Sequence, residues 1–527
     1  MDRMSPLDAT FLHIEDENSH MHIGSVAIFD GPPPAYDEIL SMVRGKLPLV
    51  PRYRQKVRMV PFDLGRPVWI DDNHFHLEYH VRHTALPRPG GAEQLRNLVG
   101  RVMGQQLDRA RPLWQMWVVE GLEDDRWALV SQVHHCLVDG VSGTDLLAVI
   151  LDREPTPSDP VPDHWKPRPE PDNLRLLGDA AVDYLVTPLE QMRGLRRMVR
   201  APRESMERAA EVLSAFRSVV GLASTSGLAT LNGPIGPHRR YSWARGSLAD
   251  VKAIRNVLGG TVNDVVLAAI TRGFRDLLIS RGGAVEGVTV RTMVPVSVRA
   301  PGERGTYNNR VSAMFAELPV GIDDPAERLD SIRAQMEGLK ESKQAVAGEV
   351  LTSLSGFAPP MLLSLGMRTA MRVPQNNLHT VTTNVPGPQF PLYAAGRQMR
   401  EAFPYVPIAQ RVRIGVAIFS YLGALNFGVT GDYDTAPDID VLTRGIEDGI
   451  RELLDDARSR SGADGREAAP VRRIEVEGKP NGHDRVLTAA GKRAATAKAR
   501  RGAATATAKR TATATARRGS RSIARNR

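Results

Sequence analysis

Seven prolines fall within the eighteen residues 154–171. Each fixes φ and removes a backbone donor, so neither a helix nor a central strand runs through such a stretch. The segment reads as an exposed, extended connection, and the chain on either side of it has to close into layers of its own. Before the break, residues 34–48 place Ile39, Leu40, Val43 and Leu47 at helical spacing. Residues 74–81 alternate, with His74, His76, Glu78 and His80 on one face and Phe75, Leu77, Tyr79 and Val81 on the other. That alternation predicts a strand whose histidines meet solvent. Residues 115–120 and 127–134 predict two more strands, joined as a hairpin by the acidic turn 122–126. A helix is expected from Ser142, whose hydroxyl caps it with Asp145 three residues on.

Beyond the break, residues 174–218 read as an Arg-rich amphipathic helical segment, closed by the Gly and Pro of 232–237. Helices at 248–257 and 262–280 then alternate with strands at 287–295, 311–317 and 381–384 and a strand pair within 414–430. Mixed helices and strands in both halves indicate α/β or α+β sandwich layers. The expected organisation is an N-terminal lobe over 1–152, a connection over 153–240, a C-terminal lobe over 241–461 and a tail over 462–527. The tail is Ala/Thr/Lys/Arg-rich from Ala490 on, too poor in apolar side chains to offset chain entropy, and is expected to be disordered.

Composition removes several function classes. Of 69 Lys and Arg, thirteen lie in 485–527, where no acid occurs; the remaining 56 face 60 acids, so the body is slightly acidic and the basicity belongs to the tail. With aromatic residues at only 5%, a nucleic-acid-binding body loses its support. A single cysteine, Cys136, excludes an internal disulfide framework and any multi-thiolate metal site. Acids and histidines occupy residues 1–30, where a secretory signal requires an apolar stretch, and none is expected. The uncharged run 414–431 is long enough to raise a membrane span, but the break at Tyr421-Leu422-Gly423 favours a buried hairpin.

The residues best placed for chemistry are Val133-His134-His135-Cys136-Leu137-Val138-Asp139-Gly140. A histidine at a strand end, held between the strand and a following capped helix, suits proton transfer near neutrality. Asp139 orients the ring or braces the loop, and Gly140 permits a tight return. Histidine pairs also serve structural roles, so spacing alone leaves both readings open. Cys136 reads as a small buried residue. His76 and His80, four apart on a strand, are not placed as metal ligands. No phosphate loop and no G-x-S-x-G elbow appears, so neither metal nor nucleotide redox cofactor is expected.

His134-His135-Cys136-Leu137-Val138-Asp139-Gly140 resembles the HHxxxDG motif of the CoA-dependent acyltransferases, most closely the bacterial wax ester synthase/diacylglycerol acyltransferases. Other segments match in order: Ser5-Pro6-Leu7-Asp8-Ala9-Thr10-Phe11-Leu12, Met21-His22-Ile23-Gly24, Pro112-Leu113-Trp114, Asn232-Gly233-Pro234, Asn263-Asp264 and Asn384-Val385-Pro386-Gly387-Pro388. The likeness spans residues 5–460 and leaves out the tail; the DFGWG motif of plant alcohol acyltransferases is absent.

The resemblance implies a two-lobed, chloramphenicol-acetyltransferase-like α/β fold with mixed sheets and an active-site channel between the lobes. It implies esterification of diacylglycerol or a long-chain alcohol by a fatty acyl-CoA, the latter a co-substrate rather than a cofactor. His135 is then the general base beside His134, and no covalent acyl-enzyme forms. Asp139 is architectural, with Arg299 as its candidate partner. Gly140, Asn263 and Asn384, the last with Thr382 and Thr383, are structural or oxyanion candidates. Asn263-Asp264 equally suits a helix start, Asn384–Pro388 a turn, and Pro112-Leu113-Trp114 core packing. Lipid substrates favour a cytoplasmic enzyme lying on the inner membrane or on lipid droplets. Arg193, Arg196, Arg197, Arg200 and Arg203 among apolar residues of 185–220 would serve that contact, or form a solvated helix face. The tail would bind anionic lipid or nucleic acid. Two alternatives stay open: a different acceptor, such as a cell-envelope lipid diol or glycan, and a non-catalytic lipid-droplet or nucleoid-associated protein.

Overall fold

The computed structural model describes residues 2–137, 149–182, 228–297, 311–341, 377–409 and 411–463. The first half contains β1 (Asp2–Arg3), α1 (Pro6–Ile14), β2 (His22–Asp30), α2 (Tyr36–Lys46), β3 (Gln55–Arg58), β4 (Val68–Asp71), α3 (Leu77–His80), β5 (Val81–Ala85), α4 (Ala92–Met103), β6 (Trp114–Leu122) and β7 (Arg126–His134). The second contains β8 (Arg239–Ser247), α5 (Leu248–Leu258), α6 (Val262–Ser280), β9 (Val290–Ser297), β10 (Val311–Leu318), α7 (Pro325–Glu341), β11 (Thr380–Pro386), β12 (Tyr393–Ala394), β13 (Arg397–Tyr405), β14 (Ile414–Tyr421), β15 (Ala424–Asp432) and α8 (Ile439–Ala463).

Local chemistry explains the strongest elements. In α2, Ile39, Leu40 and Val43 are buried, as their spacing predicts. Thr261 caps α6, its hydroxyl accepting the Asp264 N–H while the Asp264 carboxylate accepts the Thr261 N–H; two orphan donors are satisfied by one capping box. Asn263-Asp264 is therefore a helix start. The apolar run 414–431 forms the hairpin β14–β15, closing Tyr421 on Ala424, with positive φ at Leu422 and Gly423. Every residue of β14 is buried. Among the described residues no single helix is long and apolar enough to cross a membrane.

Residues 74–81 depart from the expectation of a strand: a short turn of helix, α3, leads into β5. The alternation is overridden by aromatic packing. His80, expected on a solvated face, is buried, its ring stacked on Trp114 at 4.7 Å and Phe75 at 5.1 Å. Its Nδ1 meets the Trp114 carbonyl at 2.8 Å. The proline-rich stretch is extended and largely exposed, as expected. Ion pairs tie it to the small sheet β1-β4-β3: Arg54–Asp163 at 2.7 Å, Arg168–Asp71 at 3.1 Å and Lys56–Glu170 at 3.2 Å. Residues 173–182 are helical. The helix expected from Ser142, the Arg193–Arg203 series and the tail lie outside the described residues.

Two six-stranded sheets carry the site. One is ordered β10-β9-β11-β14-β15-β8, and α6 and α8 are buried in the same apolar core as its strands β14 and β15. The other is ordered β12-β13-β2-β7-β6-β5, so a hairpin from the second half of the chain completes a sheet of the first. β13 also meets β15 of the other sheet. Their approach requires Gly428, since a Cβ there would collide with the Pro404 carbonyl oxygen. Tyr241 donates to the same carbonyl at 2.8 Å, and Arg96 of α4 reaches Ser242 and Asp440 at 3.0 and 2.8 Å. The described residues form one compact unit.

Candidate active site

β7 ends at His134, and His135 opens a one-turn 3-10 helix, His135–Leu137. The backbone of the pair is bound on both sides: His134 N–H donates to the Leu113 carbonyl at 2.9 Å and His135 N–H to the Met21 carbonyl at 2.8 Å. Leu113 and Met21 come from two of the short matching segments, so both serve to hold this turn. A third supplies α1. Ser5 caps it by accepting the Asp8 N–H at 3.1 Å, with Pro6 as first helical residue. This start aims Phe11 at the His135 ring, on which it stacks with centroids 3.8 Å apart and planes 19° from parallel.

The two histidines then differ. His135 is part-exposed. Its Nδ1 is enclosed, with no hydrogen-bond partner among the described residues. Burial pushes its pKa down from 6.5 to about 4, aided by the adjacent His134, so the ring is neutral at physiological pH. His134 is buried and turned inward, its Nδ1 accepting the Cys136 N–H at 3.1 Å. Cys136 is buried and burial raises its thiol pKa well above the ordinary value, which removes it as a nucleophile.

Sequence reasoning missed what lies behind the pair. His22 is paired directly with His134 across β2 and β7, their rings edge to face at 6.1 Å. Between them sits the carboxylate of Glu15, with Oε1 3.5 Å from His22 Nε2 and 3.6 Å from His134 Nε2. Arg109 clamps the other oxygen at 2.6 and 3.0 Å. Burial alone would raise the Glu15 pKa; the imidazoles of His134 and His22 and the Arg109 guanidinium outweigh it and hold the carboxyl far below its ordinary value. Burial brings His22 down to about 4. A Glu just past a capped helix carries no local signal of this role; only the return of β2 beside β7 creates it.

In the second half the structure joins Asn384 on β11 to Asn263 in the first turn of α6, with the Asn384 amide donating to Asn263 Oδ1 at 3.5 Å. Thr382 is buried and accepts from Thr292 at 2.9 Å, so its hydroxyl is engaged inside the sheet. The Asn232 amide binds the carbonyls of Leu378 and Arg411 at 2.6 and 3.2 Å, which makes Asn232-Gly233-Pro234 a structural tie. Asp139, Gly140 and Arg299 lie outside the described residues. Among the described residues, no group of three or more His, Cys, Asp or Glu is arranged to hold a metal ion.

A family model for the wax ester synthase/diacylglycerol acyltransferase catalytic domain matches residues 4–266, and one for the WS/DGAT C-terminal domain matches 307–454. The Mycobacterium tuberculosis (strain H37Rv) protein named "Probable diacyglycerol O-acyltransferase tgs1" is 38% identical over 460 residues, 86% of this chain and 96% of that protein. The solved wax ester synthase/diacylglycerol acyltransferase from Marinobacter aquaeolei VT8 superposes with a TM-score of 0.62 at 26% identity, covering 87% of this chain and all of that one. The first condensation domain of the CDA synthetase shares the two-lobed fold, with a TM-score of 0.50 at 14% identity over 86% of this chain and 96% of its own.

Proposed function

Because the chain belongs to the wax ester synthase/diacylglycerol acyltransferase family and is an acyl-CoA-dependent O-acyltransferase, we propose that His135 is the general base of its reaction. It makes triacylglycerol from diacylglycerol, or a wax ester from a long-chain alcohol. Nε2 of His135 takes the proton of the acceptor hydroxyl as its oxygen attacks the thioester carbonyl. The C–S bond of the tetrahedral intermediate then breaks, and the imidazolium returns the proton to the departing thiolate, giving ester and free CoA. The thioester already supplies activation, so alignment and deprotonation make up most of the barrier, and the reaction needs no metal or redox group. The observation that carries this is His135 itself: its backbone N–H is held by the Met21 carbonyl, its ring is stacked on Phe11, and its pKa lies at about 4, so the ring is a neutral base at physiological pH. Asn263 and Asn384, held together in the second half, are the proposed donors to the oxyanion across the channel between lobes.

Thiol release from palmitoyl-CoA with diacylglycerol and with hexadecanol, assayed separately, tests the acceptor. Turnover with at least one is expected. Turnover with neither, but with a lipid diol or glycan, moves the enzyme to another acceptor class.

The cytoplasmic face of a membrane or a lipid droplet is the proposed workplace, with the tail adding attraction to anionic lipid. In support, the β3–β4 connection presents Phe62, 82% exposed at φ 60°, together with the part-exposed Met59 and Leu64. Cosedimentation with vesicles of anionic lipid and diacylglycerol is expected, and is expected to weaken in Phe62→Ser. A protein that stays in the supernatant contradicts this reading.

A further inference from the structure

Glu15 stands one residue beyond α1, its side chain only 1% exposed, and the acyl-transfer chemistry above makes no use of it. Its surroundings are nonetheless built around a charge. Oε2 receives both Nε and Nη2 of Arg109, two charge-assisted bonds on one oxygen that leave Oε1 for other donors. Oε1 accepts the Met21 N–H at 3.3 Å and faces the two imidazoles. The Cys136 N–H occupies Nδ1 of His134, so the neutral ring carries its proton on Nε2, directed at Glu15. Gln132, whose Oε1 accepts from Gln115, meets His22 Nδ1 through its own amide nitrogen at 2.6 Å. His22 Nε2, which the Leu107 N–H also approaches at 3.4 Å, lies 3.5 Å from Glu15 Oε1.

Three connections run from this carboxylate to His135. Met21 gives its N–H to Glu15 and its carbonyl to His135 N–H. Arg109, clamped by Glu15, also donates to the Leu12 carbonyl at 2.9 Å, next to the Phe11 that stacks on His135. His134, whose Nε2–H faces Glu15, is the covalent neighbour of His135. We propose that Glu15 is a positioning residue for acyl transfer, fixing the His135 ring through Met21, the end of α1 and His134. The proposal rests on His135 being the base. A ring that must meet a hydroxyl at hydrogen-bond distance tolerates little rotation, and a supporting group that stops it acts on kcat rather than on substrate affinity.

Glu15→Gln keeps the size and removes the charge that Arg109 and the imidazoles face. Measured per folded enzyme, its kcat is expected to fall about tenfold to a hundredfold, with KM for acyl-CoA and for acceptor within about twofold of the parent. Arg109→Lys keeps a cation but loses the paired bonds to Oε2 and the bond to Leu12, and is expected to show a smaller fall of the same kind. A parental kcat in Glu15→Gln, or a loss that appears in KM, overturns the proposal. If Glu15→Gln does not fold, Arg109→Lys decides by the same split. His135→Ala, assayed alongside, separates the two levels. An active His135→Ala means the base is elsewhere; an inactive one beside a fully active Glu15→Gln removes only the role of Glu15.

Discussion

Two adjacent histidines with the same intrinsic chemistry sit in different surroundings: His134 is buried, whereas His135 is part-exposed. His134 spends its ring on the Cys136 N–H and the Glu15 carboxylate; His135 stacks its ring on Phe11. The base must be neutral to accept a proton, and burial has moved its pKa from 6.5 to about 4. Its base form is therefore complete at pH 6.5 and is lost only as pH falls through about 4. The kcat/KM profile, recorded where circular dichroism shows the enzyme folded, should be flat from neutrality to about pH 5.5, with its acid midpoint well below that of free imidazole. A midpoint at 6.5 or above would contradict the lowered pKa of this ring. The motif marked His135 in the sequence, but nothing there marked Glu15, because a partnership between a helix end and two strands depends on folding rather than on spacing.

Elements with local signals were read closely. α6 has the predicted bounds because Thr261 and Asp264 define its start and an unbroken apolar pattern its course. The β14–β15 hairpin was legible because Leu422-Gly423 is a turn that permits positive φ. Residues 74–81 were misread: a period of two over eight residues is too short to resist the stacking of His80 between Phe75 and Trp114. Where strands of the two sheets meet, β13 and β15 approach closely at one residue, Gly428, below the Pro404 carbonyl. Gly428→Ala should destabilise the protein by about 1–3 kcal/mol, the cost of overpacking a closed contact. Chemical denaturation measures it, and an unchanged midpoint would mean that β13 and β15 have room to separate.

At the level of the whole molecule, the mixed layers on either side of a proline-rich connection were visible in the sequence, whereas the exchange of β12–β13 into the first sheet was not. A strand's own alternation reports which face is buried and not which strand it pairs with, so a partner hundreds of residues away leaves no local signal. That exchange, with the Arg96–Asp440 ion pair, binds the halves together, and the Tyr241–Pro404 bond links the two sheets. The short segments around His135 prove to be its supports: a cap for α1, a carbonyl from Met21, a carbonyl from Leu113. The central claim is that this one imidazole removes the acceptor's proton. Its most direct measure is the rate of CoA release by purified His135→Ala under conditions where its melting temperature matches the parent. A fall of about a hundredfold to ten-thousandfold is predicted, the range for removing a general base; a rate within a few-fold of the parent would contradict it.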